Sequence, residues 1–477
     1  MKKAVAILAM GWTLCAVPVH AAATFEYLFD GGYARDVSWD GNVVVGFTAV
    51  GSSATPFRWT QATGLVDLGR RMLFGAGGEP SVSADGSKVA CGIGSLDSTY
   101  TTWGLWTQAT GWQELMPPTP PSGGTLDGSY GSTWNMSDDG STVVGLYWRP
   151  GVGNRAHAAK WTAAGGAVDL GFAPSGIGSR ANGVNHNGTV IGGWIEQGTG
   201  PWLPTVWANG TNTMLTEYIE EGGSPVGAGE VRAVSPDGNV LLGYCIQSGS
   251  HQRAAAMWKR VNGVWQPTQF LGWVDGTEPV YGINIAQASN ADGSMVVGYC
   301  SFDGSPFNPT GWVWTQAMGL KDVNEFLALN GVFVDPNFTI KNMTAMTPDG
   351  TKLFGYGQMV VPPYTYRSFK ITLPATADAP VTAPVARLEL SVPRPNPSRG
   401  AIRLELALPS ESDVDLAIFD AAGRRVASLL QGNVPAGPHS VTWDGRDSGG
   451  SMAAAGLYFA RAVTPHGSAS QRLVRVQ

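Results

Sequence analysis

Residues 38–47 read SWDGNVVVGF, and six later stretches repeat the pattern. They are SADGSKVACG from Ser83, SDDGSTVVGL from Ser137, NHNGTVIGGW from Asn185, SPDGNVLLGY from Ser235, NADGSMVVGY from Asn290 and TPDGTKLFGY from Thr347. Asp-Gly between two apolar runs is the strongest short-range hairpin signal, because glycine accepts the positive φ of a tight turn. The turn glycines run from Gly41 to Gly350 with a period of about 52 residues. A first strand such as ARDVS precedes each turn, and a second such as VVVGF follows it. About 20 residues beyond each turn glycine stands an aromatic, Trp59, Trp106, Trp161, Trp207, Trp258, Trp314 or Phe369, in a third strand such as PFRWT or AAAMWK. Glycine-bounded fourth strands follow as GLVDLG (64–69), GWQELM (111–116), GAVDLG (166–171) and GLKDVN (319–324).

Four short strands repeated at this period predict an all-β chain built on a seven-bladed β-propeller over residues 23–373. Parallel β-helices are the main competitor, but their coils are shorter and rarely carry an Asp-Gly hairpin in every turn. A lone four-stranded sheet cannot cover both faces, so the repeat aromatics are expected between blades. Repeat seven ends with its third strand, YRSFKIT (366–372), while TFEYLF (24–29) precedes repeat one. Residues 24–29 are therefore expected to complete the last sheet, removing exposed edges.

Composition agrees with short strands and glycine turns: 65 glycines and 18 tryptophans in 477 residues, with only 14% charged. A net charge of −6 with mixed signs argues against a nucleic-acid partner. The basic start MKK, the apolar run to Val19 and the small residues HAAA read as a secretory signal peptide over 1–22. No later run is long enough for a transmembrane span. The expected location is secreted or at the cell surface. Of the cysteines beyond the leader, Cys91, Cys245 and Cys300, only the last two share a repeat position; free buried thiols are expected, with a Cys245–Cys300 bridge as the alternative.

The repeat S-x-DG-x-x-VVG followed by A-x-x-W, with AHAAKW at 156–161, resembles the bacterial extracellular repeats of the HAF family over about 24–373. That resemblance implies an exported propeller-like protein and brings no catalytic residues. After a Pro/Ala/Thr-rich linker at 374–386 the pattern changes. IRLELAL (402–408) and VDLAIF (414–419) alternate as half-buried strands do. About seven such strands over 387–477 predict a small immunoglobulin-like β-sandwich. The residues PNPSRGAIRLELALP, IFDAAGRRV, PAGPHSVTWDGRDSGG and GLYFARAV resemble the immunoglobulin-like domain of the flagellar hook-capping protein, and equally the C-terminal sorting domains of type IX secretion cargo. The resemblance implies a secretion or attachment role, with that machinery as a partner.

No hydrolase elbow, zinc motif or phosphate loop occurs, and the histidines His157, His186, His251, His439 and His466 do not cluster. No metal, cofactor or catalytic residue is expected. His186 reads as a solvated turn residue, and Asp36, Glu79 and Asp139 as carboxylates scattered over different blade positions. One position, five residues before each turn Asp or Asn, varies freely: Arg35, Pro80, Trp134, Asn182, Arg232, Gln287 and Thr344. If the first strand is innermost, Arg35, Trp134, Asn182, Arg232 and Gln287 stand near a mouth of the central channel, where they suit a glycan or peptide ligand. Two functions remain open: a binding or adhesion protein, and a polysaccharide-active hydrolase or lyase on the same fold.

Overall fold

The computed structural model describes residues 23–476 except 51–52, 72–77, 97–100, 116–130, 150–154, 172–177, 199, 251, 277, 279–281, 303–308, 375–387, 391–392, 394–395, 397, 399, 409–410, 435–436 and 466. The expected leader and nearly all of the expected linker lie outside the described residues.

The repeats fold as antiparallel units in chain order. The first unit is Gly32–Val37, Val43–Val50, Ser53–Thr60 and Gly64–Asp67. The second is Ser81–Val82, Lys88–Gly94, Thr101–Thr107 and Gly111–Leu115; the third is Gly131–Met136, Thr142–Arg149, Arg155–Thr162 and Gly166–Asp169. The fourth is Ser179–Val184, Val190–Glu196, Trp202–Ala208 and Thr211–Met214. Units five (Gly229–Val234, Val240–Ile246, Arg253–Val261) and six (Ile283–Ser289, Met295–Ser301, Thr310–Thr315, Gly319–Asp322) share one sheet through a single parallel pairing of Arg253 with Ile283. The seventh is Phe338–Met346, Lys352–Met359 and Tyr366–Thr372, and its fourth strand is Thr24–Asp30 from the start of the chain. Thr24 pairs with Thr372 and Tyr27 with Phe369. This is the pairing expected for residues 24–29.

The first strand of each unit packs on the unit before it. Gly131–Met136 lies against Lys88–Gly94, Gly229–Val234 against Val190–Glu196, and Gly32–Val37 against both Phe338–Met346 and Lys352–Met359. The result is a propeller-like β structure with the first strands innermost.

The turns explain the repeated letters. In the first, Gly41 N–H donates to the Ser38 carbonyl (2.8 Å), and Gly41 takes a φ of +71°. Ser38 Oγ donates to Asp40 Oδ1 (2.6 Å) while accepting from Val43 N–H (3.0 Å), and Asn42 N–H donates to the same carboxylate oxygen (2.9 Å). The aspartate is thus a local cap on the turn. Asp85 repeats the arrangement, and the Ser83 hydroxyl, ahead of the cost of burial, helps hold its carboxyl below the usual range.

Neighbouring turns are also tied together. Trp39 N–H donates to Ala84 C=O, Ala84 N–H to Asp138 C=O, Asp139 N–H to His186 C=O and His186 N–H to Pro236 C=O. The proline interrupts the chain because it has no N–H to pass on. Cationic side chains reach across as well: Arg58 to Gly86 C=O, Lys88 to Gly140 C=O and Lys352 to Asp40 C=O.

Of the repeat aromatics, Trp59, Trp207, Trp258, Trp314 and Phe369 are buried, while Trp106 and Trp161 are half-buried. Trp258 packs with Val206, Val231 and Leu241, side chains of two consecutive units. Two sequence expectations are corrected. The fourth strand read as 319–324 ends at Asp322, whose carboxylate accepts from Asn324 N–H (2.7 Å) and so caps the helix Val323–Leu329. His186 is not solvated: its side chain is 15% exposed, packs at a tilt against the Trp39 ring (4.9 Å between centres) and sits 3.7 Å from Asp138. Cys91, Cys245 and Cys300 are buried and outside any disulfide, so the Cys245–Cys300 bridge is absent.

Among the described residues the tail has seven strands in two sheets. Glu389–Leu390, Ile402–Leu408 and Gly437–Trp443 form one; Arg425–Val434, Ser412–Asp420, Gly456–Thr464 and Gly467–Arg475 form the other. Alternation places Ile402, Leu404, Leu406 and Leu408 in the same core as Leu416, Ile418, Trp443 and Ala460.

Candidate functional site

In six of the seven units the variable position is a β-bulge; Pro80 of the second precedes its strand Ser81–Val82. On the first strands, register shifts fall between Ala34 and Asp36, Thr133 and Asn135, Ala181 and Gly183, Val231 and Ala233, Ala286 and Ala288, and Met343 and Ala345. The residues left unpaired are Arg35, Trp134, Asn182, Arg232, Gln287 and Thr344. A bulge adds one residue to one strand and re-aims its side chain.

The last glycine of each VVG run accounts for it. A Cβ on Gly46 would stand 1.9 Å from the Tyr33 carbonyl oxygen, one on Gly243 1.9 Å from that of Glu230, and one on Gly298 2.1 Å from that of Ile285. The bulge presses the inner backbone against the second strand, and only glycine leaves room. Strand glycine and bulge are one device.

Away from the turns, four of the bulge residues, Arg35, Trp134, Asn182 and Arg232, enter a charged aromatic cluster. Arg232 bonds Glu79 of the second unit at 3.1 Å and Glu230 at 3.2 Å. Glu230 also takes Arg180 and, at 3.2 Å, the Asn182 amide. Burial works against the Glu230 carboxylate, but Arg180 and Arg232 prevail and hold it ionised, below its ordinary range. The Arg180 guanidinium lies 3.9 Å from the Trp134 ring centre, with Trp194 and Trp202 at 5.5 and 5.6 Å. Trp194 and Trp202 stack at 4.4 Å, and Trp202 is exposed. Arg232 lies 5.4 Å from Trp134, and Arg35 5.5 Å from the Tyr356 ring centre.

Towards the turns the character reverses. A cavity of about 130 Å³ is lined by first-strand and turn residues of six units, among them Asp36, Trp39, Asn135, Asp138 and Gln287. Asp36 accepts from Val37 N–H (2.8 Å) and Val82 N–H (2.9 Å). Burial outweighs these bonds and, with the charges of Asp138 and Glu79, pushes its carboxyl up to about 7.

Of the five residues picked from sequence, Arg35, Trp134, Asn182 and Arg232 belong to the charged cluster. Gln287 lines the cavity nearer the turns. Asn182 is buried and fully engaged: its amide nitrogen donates to Val231 C=O (2.6 Å) and its oxygen accepts from Arg180 Nε (2.6 Å), so it positions its neighbours. Sequence reading did not select Arg180 as a site residue. The usable signal was strand periodicity, since Arg180 and Glu230 each stand two residues before a selected position. Asp36 and Glu79, read as scattered, lie close enough for Glu79 to raise the Asp36 carboxyl.

Residues 396–467 match the family model described as FlgD Ig-like domain. The C-terminal part of the chain is thus a FlgD Ig-like domain. No curated protein matches the chain. Among solved structures, the β-propeller domain of the Trilobed protease from Pyrococcus furiosus is 12% identical, with a TM-score of 0.43, covering 75% of this chain and 99% of that one. TolB from Acinetobacter baumannii is 11% identical with a TM-score of 0.34, covering 73% of this chain and 63% of that one. Oligogalacturonate lyase from Vibrio parahaemolyticus is 11% identical with a TM-score of 0.45, covering 74% of this chain and 98% of that one. Among the described residues no group of histidine, cysteine and carboxylate side chains is placed to hold a metal ion, and no helix is long and apolar enough to cross a membrane.

Proposed function

We propose that this chain is an exported or surface-attached binding protein. Its seven repeats form a seven-bladed propeller that takes a glycan or peptide at the channel mouth away from the Asp-Gly turns. The observation that carries the reading is the ion pair between Arg232 of the fifth unit and Glu79 of the second, beside Trp134 of the third. Polar and aromatic groups from separate units meet on bulges that the fold's own hydrogen bonding does not require. An exposed Trp202 beside them offers a ring face for stacking. The FlgD Ig-like tail serves export or attachment, as its resemblance to sorting domains suggests, and the apolar leader directs the first step.

The test is a glycan and peptide array probed with the full mature chain and with its Trp134→Ala variant, alongside a reducing-end assay on the polysaccharides that bind. The expected result is a retained ligand, at least a tenfold weakening in the variant, about 1.4 kcal/mol, and no release of reducing ends. Binding that is unchanged in Trp134→Ala would move the site elsewhere. Cleavage would make the chain an enzyme.

A further inference from the structure

We infer that Arg35 anchors a carboxylate group of the ligand, an inference that rests on the channel-mouth reading above. The cluster holds three guanidinium groups, Arg35, Arg180 and Arg232, against two carboxylates, Glu79 and Glu230. Arg180 and Arg232 are engaged by those carboxylates and by Asn182. Arg35 is not. It makes no hydrogen bond or ion pair within the described residues, its Nε is buried without a partner, and its guanidinium lies 5.5 Å from the centre of the Tyr356 ring. Glu79 lies near enough to act on it electrostatically, yet accepts its hydrogen bond from Arg232.

A buried donor on a charged group without a partner is costly, and proteins rarely leave one. Arg35 as a residue is half-buried, and of its guanidinium only Nε is sealed without a partner, so the Nη end is the reachable part. Tyr299 stands in the same field, half-buried and near enough for the charges of Arg232 and Arg35 to act on it, with a hydroxyl that has no hydrogen-bond partner among the described residues. The open donors are thus a guanidinium fork and a phenol. A carboxylate matches the fork with two parallel hydrogen bonds. The cluster carries one excess positive charge, which a monoanion balances, while Glu79 and Glu230 oppose a dianionic phosphate. A uronic-acid sugar and a free peptide C-terminus both present this group.

The experiment is titration calorimetry on the full mature chain with two pairs: glucuronate oligosaccharide against its methyl ester, and a short peptide with a free against an amidated C-terminus. One acid is expected to bind, with its uncharged partner at least about 30-fold weaker. The pair that responds identifies the source. Arg35→Met is expected to abolish binding of that acid, and Arg35→Lys to retain part of it, since Lys keeps the charge but not the fork. Arg35→Met is also expected to leave the unfolding midpoint within about 2 °C of wild type, because no hydrogen bond or ion pair within the described residues is lost and the Met side chain can still pack on the Tyr356 ring.

Equal binding of acid and neutral partner, undiminished binding in Arg35→Met, or no binding of either acid at about 10 mM overturns the inference. A midpoint that falls sharply in Arg35→Met also overturns it, by making the arginine structural. A neutral array ligand that depends on Trp134 but not on Arg35 would sink the carboxylate and leave the channel-mouth reading standing. A ligand indifferent to both variants would sink that reading as well.

Discussion

The two ends of each first strand obey different rules. At the turn end, residues repeat and their side chains serve the backbone: Ser235 Oγ donates to Asp237 (2.6 Å) and accepts from Val240 N–H (2.9 Å), as Ser38, Ser83 and Ser137 do in their own units. At the bulge end, the geometry repeats while the residues differ, from Arg35 and Trp134 to Gln287 and Thr344. A repeated residue on a repeated geometry marks what the fold needs. A changing residue on a repeated geometry marks what the fold leaves open. Both are needed to interpret such a chain.

The comparison can be broken first at the core that both ends share. Trp258 is fully buried, so Trp258→Ala should cost about 3–5 kcal/mol in chemical denaturation. A loss under about 1 kcal/mol would mean the units do not rest on one another through these rings. A smaller effect tests the turn end alone. Ser235→Ala leaves the Val240 N–H without its side-chain acceptor, and should cost about 1–2 kcal/mol. Ligand binding should be unmoved, because the turn serves only the backbone.

The channel between the two ends gives the most specific signal. Asp36 has its pKa raised in the folded protein, from the ordinary carboxyl value to about 7. The folded state therefore binds the extra proton, and the stability this contributes is present below pH 4 and lost as pH rises from 4 to about 7. Melting curves between pH 5 and 8 should show a midpoint that falls with pH in the wild type and is flatter in Asp36→Asn. Parallel pH profiles for the two proteins would place the titration elsewhere.

Much of this fold was legible because its logic is local. Asp-Gly turns, apolar second strands and the aromatic of the third strand all repeat at fixed spacing, and the missing fourth strand of repeat seven pointed to residues 24–29. The departures have local causes too. In the fifth unit, Pro267 interrupts the run after the third strand, and only the short segments Val264–Trp265 and Gln269–Phe270 pair there. Asp322 stops a strand because its side chain suits a helix start.

The site was half legible. Position-by-position variation found the bulge residues without revealing the bulge, because the strand glycines were read as the ends of apolar runs. Their meaning lies in a contact with another strand's carbonyl, which no single segment shows. The pairing of Arg232 with Glu79 joins residues 153 positions apart, and nothing in either repeat specifies the other.

The most direct measurement compares the two kinds of position within one unit. Gln287 is the bulge residue of the sixth unit, and Gly298 is the strand glycine opposite Ala286 beside it. Gly298→Ala places a Cβ 2.1 Å from the Ile285 carbonyl oxygen and 2.5 Å from the Trp312 ring. Urea denaturation of the two alanine variants should give a loss of at least about 2 kcal/mol for Gly298→Ala and within about 0.5 kcal/mol of wild type for Gln287→Ala. A tolerant Gly298 together with a costly Gln287 would contradict the account, because the bulge residue would then belong to the fold and not to the ligand.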